Sequence, residues 1–176
     1  GERMASMWLN LARYAEDQAH QVGNDTKHFY PNAYRYRQWV IDAFNKDKPI
    51  DEFIREQIAG DILARDGSAE EYADRVTATG FLAIGKRYGY KASPTYQYLD
   101  FADVIDSVGR SMLGLSIGCA RCHDHKYDPV SAKDYYALYG IMQSTKWAFP
   151  GGEEQKRPAH FPPLVPAEEA ARLDQA

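Results

Sequence analysis

Cysteine is nearly absent from this chain of 176 residues, which holds two, Cys119 and Cys122. Two thiols three positions apart cannot brace a disulfide scaffold, which needs several bridges spread along the sequence. Long apolar runs are missing as well. Those present are short, such as Phe81-Leu82-Ala83-Ile84, against the roughly 20 residues that span a bilayer, so no membrane span is expected. Neither sign of charge dominates: 21 basic and 25 acidic residues are well mixed, for a net charge of −4. Without a basic stripe there is no electrostatic footprint for nucleic acid, and no nucleic-acid partner is expected. No internal repeat and no convincing alternating strand pattern occur, which leaves an all-α chain. A secretory leader is not recognisable, and Gly1 runs straight into a helical pattern. The expectation is a piece cut from a longer, exported protein.

Aromatic residues are plentiful, with 13 Tyr, 7 Phe and 3 Trp. Packing accounts for them, since large flat side chains bring much apolar area to a modest core. A core shaped around a flat prosthetic group would use them too.

Helical spacing places Met4, Met7, Trp8, Leu11, Ala12 and Ala15 on one inward face. Residues 21 to 32, QVGNDTKHFYPN, have loop composition. A second helix buries Tyr36, Trp39, Val40, Ala43 and Phe44 and stops at NKDKP. A third carries Phe53, Ile54, Ile58 and Ile62 inward. Gly60 within it costs about 1 kcal/mol relative to Ala, which points to a close contact there. Ser68 and Glu71 form a capping box that opens a fourth helix running to about Ile84. Residues 85 to 97 read as loop. A fifth helix is expected from about Leu99 to Leu115, burying Phe101, Ile105, Val108, Met112 and Leu115, with Gly118 as its stop. Ser131 caps a sixth, with Tyr135, Leu138, Tyr139 and Met142 inward. The division is a helical domain over residues 1 to 149, then an extended Pro-rich arm over 150 to 176 that closes with a short polar helix at 167 to 175.

The two cysteines stand in IGCARCHDHKYDP, where Cys119-Ala120-Arg121-Cys122-His123 is C-x-x-C-H, the attachment sequence of a c-type haem. Two thiols three apart on a helical turn reach the two vinyl groups of a porphyrin, and the next residue offers an imidazole to the iron. One covalent haem c is therefore expected, on Cys119 and Cys122, with His123 as proximal ligand. A thioredoxin-type redox pair opens a helix after a strand, whereas this pair follows a helix. Zinc held by Cys119, Cys122, His123 and His125 would crowd four ligands into seven residues, although structural zinc usually joins two separated pairs.

The stretches MWLNLARYAEDQAH, YRYRQWVIDAFNKDKPIDEFIREQIAGDIL, ATGFLAIG and IDSVGRSMLGLSIGCARCHDHKYDPVSAKDYYALY resemble, in the same order, the cytochrome c-like domain of large planctomycete proteins, long catalogued as a domain of unknown function. The resemblance covers residues 1 to about 150, and the family pattern C-A-R-C-H-D-H-K-[FY]-D-P is matched without departure. It implies haem, export and a multidomain parent, and it implies no particular reaction.

For a sixth iron ligand the candidates are His20, Met112 and Met142. His20 shares a proposed helix face with Arg13 and Asp17 at i, i+4, i+7 spacing; a solvated polar stripe explains the same pattern. Both methionines fall on apolar helix faces, where core filling is their usual role. His28 and His160 read as surface residues. His125, two residues from His123, is placed to bond a haem propionate or a backbone group, or to orient the turn. Arg121 and Lys126 flank the motif and could pair with propionates, whose burial otherwise costs several kcal/mol. Asp124 could accept the Nδ1 proton of His123 or cap the next turn. Asp128 and Asp134 could hold Lys126 or end turns. The expected activity is single-electron transfer to a redox partner protein or to other domains of the parent, in a periplasmic or cell-surface setting. The alternatives are a haem enzyme or binder of peroxide or a diatomic gas with an open sixth site, and a haem- or zinc-stiffened structural module.

Overall fold

The computed structural model describes residues 1–14, 32–85, 94–146 and 162–175. Every regular element among them is helical: α1 (Glu2–Leu11), α2 (Ala33–Asn45), α3 (Ile50–Leu63), α4 (Ala69–Ala78), α5 (Gly80–Ala83), α6 (Pro94–Val108), a π turn (Gly109–Leu113), a 3-10 turn (Ile117–Arg121), α7 (Ala132–Ser144) and α8 (Ala167–Leu173). No strand occurs among the described residues, as the absence of alternation predicts. No described helix is long and apolar enough to cross a membrane.

The first core forms where α1 and α2 pack on α3 to α5. It contains Ala5, Trp8, Tyr36, Trp39, Val40, Phe53 and Phe81. The face of α2 matches its periodicity, with Tyr36, Trp39, Val40 and Ala43 buried. In α1 the inward face differs from the apolar stripe. Ala5, Trp8 and Ala12 are buried, whereas Met4, Met7 and Leu11 are each more than half exposed. The cause is polar. The Trp8 Nε1–H donates to Gln57 Oε1 at 2.9 Å and to the Tyr36 hydroxyl oxygen at 3.1 Å, and the Tyr36 hydroxyl donates to Gln57 Oε1 at 2.7 Å. A buried indole or phenol left without a partner is costly, so this triad sets the rotation of α1.

The same triad corrects α3. Its buried residues are Phe53, Glu56, Gln57 and Gly60, while Ile58 and Ile62 face out. Glu56 is buried against Lys48 and lies 3.5 Å from Arg75. Gly60 meets the expected close contact: a Cβ there would lie 2.0 Å from the Arg75 carbonyl oxygen of α4. The Ser68–Glu71 capping box is formed in both directions. The helix it opens breaks at Thr79 before the short α5, rather than continuing to Ile84.

The second core joins α6, the 3-10 turn and α7 through Phe101, Val104, Ile105, Ile117, Ala120, Tyr135 and Met142. Leu82 and Val108 pack against both cores. α6 starts at Pro94, earlier than the expected Leu99, because proline at a first helical position forfeits no hydrogen bond. It also ends earlier than Gly118. The π turn follows Val108, and Gly114, at φ +66°, takes the left-handed conformation that stops it. α7 carries the expected cap, with Ser131 and Asp134 bonded reciprocally. Near the C-terminus α8 appears at the anticipated place. Residues 150–161 of the Pro-rich arm lie outside the described residues.

Candidate functional site

The segment from Gly114 to Val130 crosses between α6 and α7, and its shape follows from a few anchors. Ile117 and Ala120 are buried in the second core, at 3% and 0% exposure. In a 3-10 turn, neighbours of two buried positions must point the other way, and Cys119 and Cys122 are both exposed and free. The turn is fastened at each end. The Cys119 N–H donates to the Ser116 carbonyl at 3.0 Å, and the Tyr136 hydroxyl of α7 donates to the Arg121 carbonyl at 3.0 Å. The Ser116 N–H donates to Asp128 Oδ2 at 3.2 Å, which ties the approach to the turn to the segment that leaves it.

The two histidines of the motif hold opposite tautomers. His123 Nδ1 lies 2.7 Å from the Asp124 carbonyl oxygen. A carbonyl only accepts, so Nδ1 is the donor, and in the neutral ring Nε2 then keeps its lone pair. The ring is exposed, and this is the second-sphere bond that prepares a histidine for a metal. His125 is turned the other way. Its Nδ1 accepts from the backbone N–H groups of Asp128 at 2.7 Å and Tyr127 at 3.2 Å. The proton therefore sits on Nε2, which faces Asp128 Oδ2 at 3.6 Å. Of the roles expected for His125, bonding the backbone and orienting the turn are the ones its geometry occupies. Asp124 caps: its Oδ1 accepts the Ala132 N–H of α7 at 2.8 Å, while its backbone carbonyl meets His123.

Lys126 is exposed, with its ammonium 5.1 Å from the Tyr127 ring centroid. The half-buried Arg121 lies over the Tyr98 ring at 5.6 Å. Beside the turn is a cleft of about 380 Å³, at the small end of the usual range for ligand sites. Its walls include Asp103 and Asp106 of α6, Arg110 of the π turn, Cys119 and Arg121 of the 3-10 turn, and Tyr135 of α7. Tyr135 is 1% exposed and its hydroxyl has no partner among the described residues, a state that costs a buried polar group about 1–3 kcal/mol. Burial pushes this phenol up from its ordinary pKa, and the Arg121 cation pulls it part of the way back. The sequence places Tyr135 on the inward face of α7 but gives no sign that its oxygen is orphaned.

The two described candidates for the distal position, Met112 and Met142, pack in different cores. Met142 is buried in the second core, and Met112 packs against the first. His20 and Asp17 lie outside the described residues, as do His28 and His160. The helix face proposed for Arg13 is corrected: α1 ends at Leu11, and Arg13 has φ +59°, off the helix. Arg13 instead pairs with Asp103 and donates to the Phe81 carbonyl at 3.3 Å, joining the end of α1 to α6. Among the described residues no three His, Cys, Asp or Glu side chains are grouped to hold a metal ion. A protonated His125 Nε2 also offers no lone pair to a zinc site. A covalently carried haem needs only two thiols and one imidazole from this segment, and the free thiols and prepared His123 fit that donor set.

Neither a search of curated proteins nor a search of solved structures finds a match. One family model does match, across residues 1–147, so α1 to α7 and the cysteine segment lie within it together. The chain belongs to the PSCyt2 family, described as a protein of unknown function (DUF1549).

Proposed function

We propose that this domain is a c-type cytochrome module that carries one covalent haem and passes single electrons. Cys119 and Cys122 would hold the group through sulfur, and His123 Nε2 would bind the iron. The observation that carries this reading is the His123 Nδ1–H bond to the Asp124 carbonyl, beside two exposed, free thiols. That bond fixes the tautomer, orients the ring and raises the basicity of Nε2. Haem bound there supplies one-electron exchange between ferric and ferrous iron, at a potential set by axial ligand, burial and hydrogen bonds. The chain's own part is placement. Ile117 and Ala120 anchor the turn, Tyr136 and Asp128 brace its ends, and His125 holds the following loop so that His123 remains outside the core. Exposure of the motif suits exchange with a redox partner protein or a neighbouring domain of the parent. Thioether attachment fits the exported setting that the sequence suggests, because bacterial maturation of such haem operates outside the cytoplasmic membrane.

The test is production with a c-type maturation system, followed by intact mass and absorption spectra. The mass is expected to exceed that of the polypeptide by one haem, with a Soret band. Cys119→Ala with Cys122→Ala should remove the covalent mass, and His123→Ala should change the Soret position while retaining it. A ferrous form that ignores carbon monoxide supports electron transfer, whereas avid binding points to an open-site haem protein. A purified chain weighing no more than its amino acids would overturn the proposal.

A further inference from the structure

We infer that the cleft beside the 3-10 turn is a carboxylate site, with the Tyr135 hydroxyl and the Arg121 guanidinium as its donors. Tyr135 is buried, lines the cleft and has no partner for its oxygen among the described residues. Buried tyrosine hydroxyls normally find one, and here the described residues do not supply it. The other charges on the walls cancel in pairs, Asp106 with Arg110 at 2.7 Å and Asp103 with Arg13. Arg121 has the Tyr98 ring beneath it, and no ion pair joins it to a carboxylate among the described residues. An O–H donor and a planar guanidinium fork together match the two oxygens of a carboxylate. The volume of about 380 Å³ suits one carboxylate-bearing arm rather than a large ligand.

Two sources share this chemistry. One is a propionate of haem carried on Cys119, which lines the same cleft; that source rests on the function proposed above. The other is a free small carboxylate.

The experiment uses the matured full chain and its Tyr135→Phe and Arg121→Gln variants, each checked by intact mass. The readouts are infrared carboxylate bands of haem labelled with ¹³C at the propionates, the midpoint potential, and titration with sodium acetate against sodium chloride. If a propionate occupies the cleft, the labelled bands shift in both variants and acetate does not bind. The reduction equilibrium then moves about tenfold toward the ferric form, about 59 mV lower for one electron, because the carboxylate loses its neutralising partners. If a free carboxylate is the ligand, acetate binds the parent and binds each variant at least tenfold more weakly, with bands and potential unmoved. No acetate binding to the parent, together with unmoved bands and potential in both variants, overturns the inference. A chain that carries no covalent haem sinks the proposed function, and the acetate titration then decides the cleft alone. Should Tyr135→Phe fail to fold, Arg121→Gln at its half-buried position carries the same comparison.

Discussion

Replacing Gly60 with alanine sets two effects of opposite sign against each other. In a helix interior alanine is ordinarily favoured over glycine by about 1 kcal/mol. At Gly60 the new Cβ would stand 2.0 Å from the oxygen and 2.8 Å from the carbon of the Arg75 carbonyl. Even weak C–H···O contacts keep carbon and oxygen about 3.3 Å apart, so α3 and α4 must separate by about 1 Å. Both clashing atoms are backbone, and no side-chain rotation relieves them. Overpacking of this kind costs about 1–3 kcal/mol, and a gap of about 1 Å forfeits up to half of the dispersion well for the atoms on either side. The net expectation is a loss of about 2 kcal/mol, read as a urea midpoint about 1 M lower. Gly140 is the control. It lies in α7, exposed, with nothing within 4 Å of an added Cβ, so Gly140→Ala should gain about 1 kcal/mol. A Gly60→Ala chain as stable as the parent, or more so, would refute the close approach of the two helices.

Other perturbations read separate parts of the molecule. Glu56→Ala leaves Lys48 and Arg75 facing a buried gap and should cost about 2–3 kcal/mol in urea unfolding; an unchanged midpoint would contradict the buried pair. Bonds from the Ser68 backbone N–H, then its side chain, lower the Glu71 pKa below 4.5, and bonds from the Ser131 side chain, then its backbone N–H, lower that of Asp134 below 3.8. A depressed carboxylate contributes stability that is present above its unfolded value and lost as pH falls through the folded one. The urea midpoint should therefore drop between about pH 5 and pH 3, less steeply in a Ser68→Ala, Ser131→Ala double variant; parallel slopes would argue against the caps. His125→Ala removes the acceptor of two loop amides and should cost about 1 kcal/mol. Faster hydrogen exchange at Tyr127 and Asp128 is the direct check, and continued protection there would show that His125 does not hold the loop.

Where the sequence and the structure part, the cause is usually a polar group that had to be satisfied. Apolar spacing places Ile58 and Ile62 inward in α3, and the structure buries Gln57 and Glu56 instead, because Trp8, Tyr36, Lys48 and Arg75 come to meet them. Arg13 looks like one member of a helical polar row, yet its real partner is Asp103, ninety residues away. A pattern within one element cannot report such partners. The end of α6 differs for a local reason: the helix gives way to the π turn at Gly109, and Gly114 stops that turn before Gly118 is reached.

By itself the sequence determined the helical class, the Ser68–Glu71 capping box, the Ser131 cap, the buried face of α2, the close contact at Gly60 and the position of the cysteine motif, since these depend on residues at most a few turns apart. Tertiary structure alone decided the rotation of α1 and α3, the opposite tautomers of His123 and His125, and the cleft in which Tyr135 is left without a partner. Each of those depends on which distant backbone or side-chain group arrives within about 3 Å, the reach of a hydrogen bond, and no periodicity along the chain carries that information.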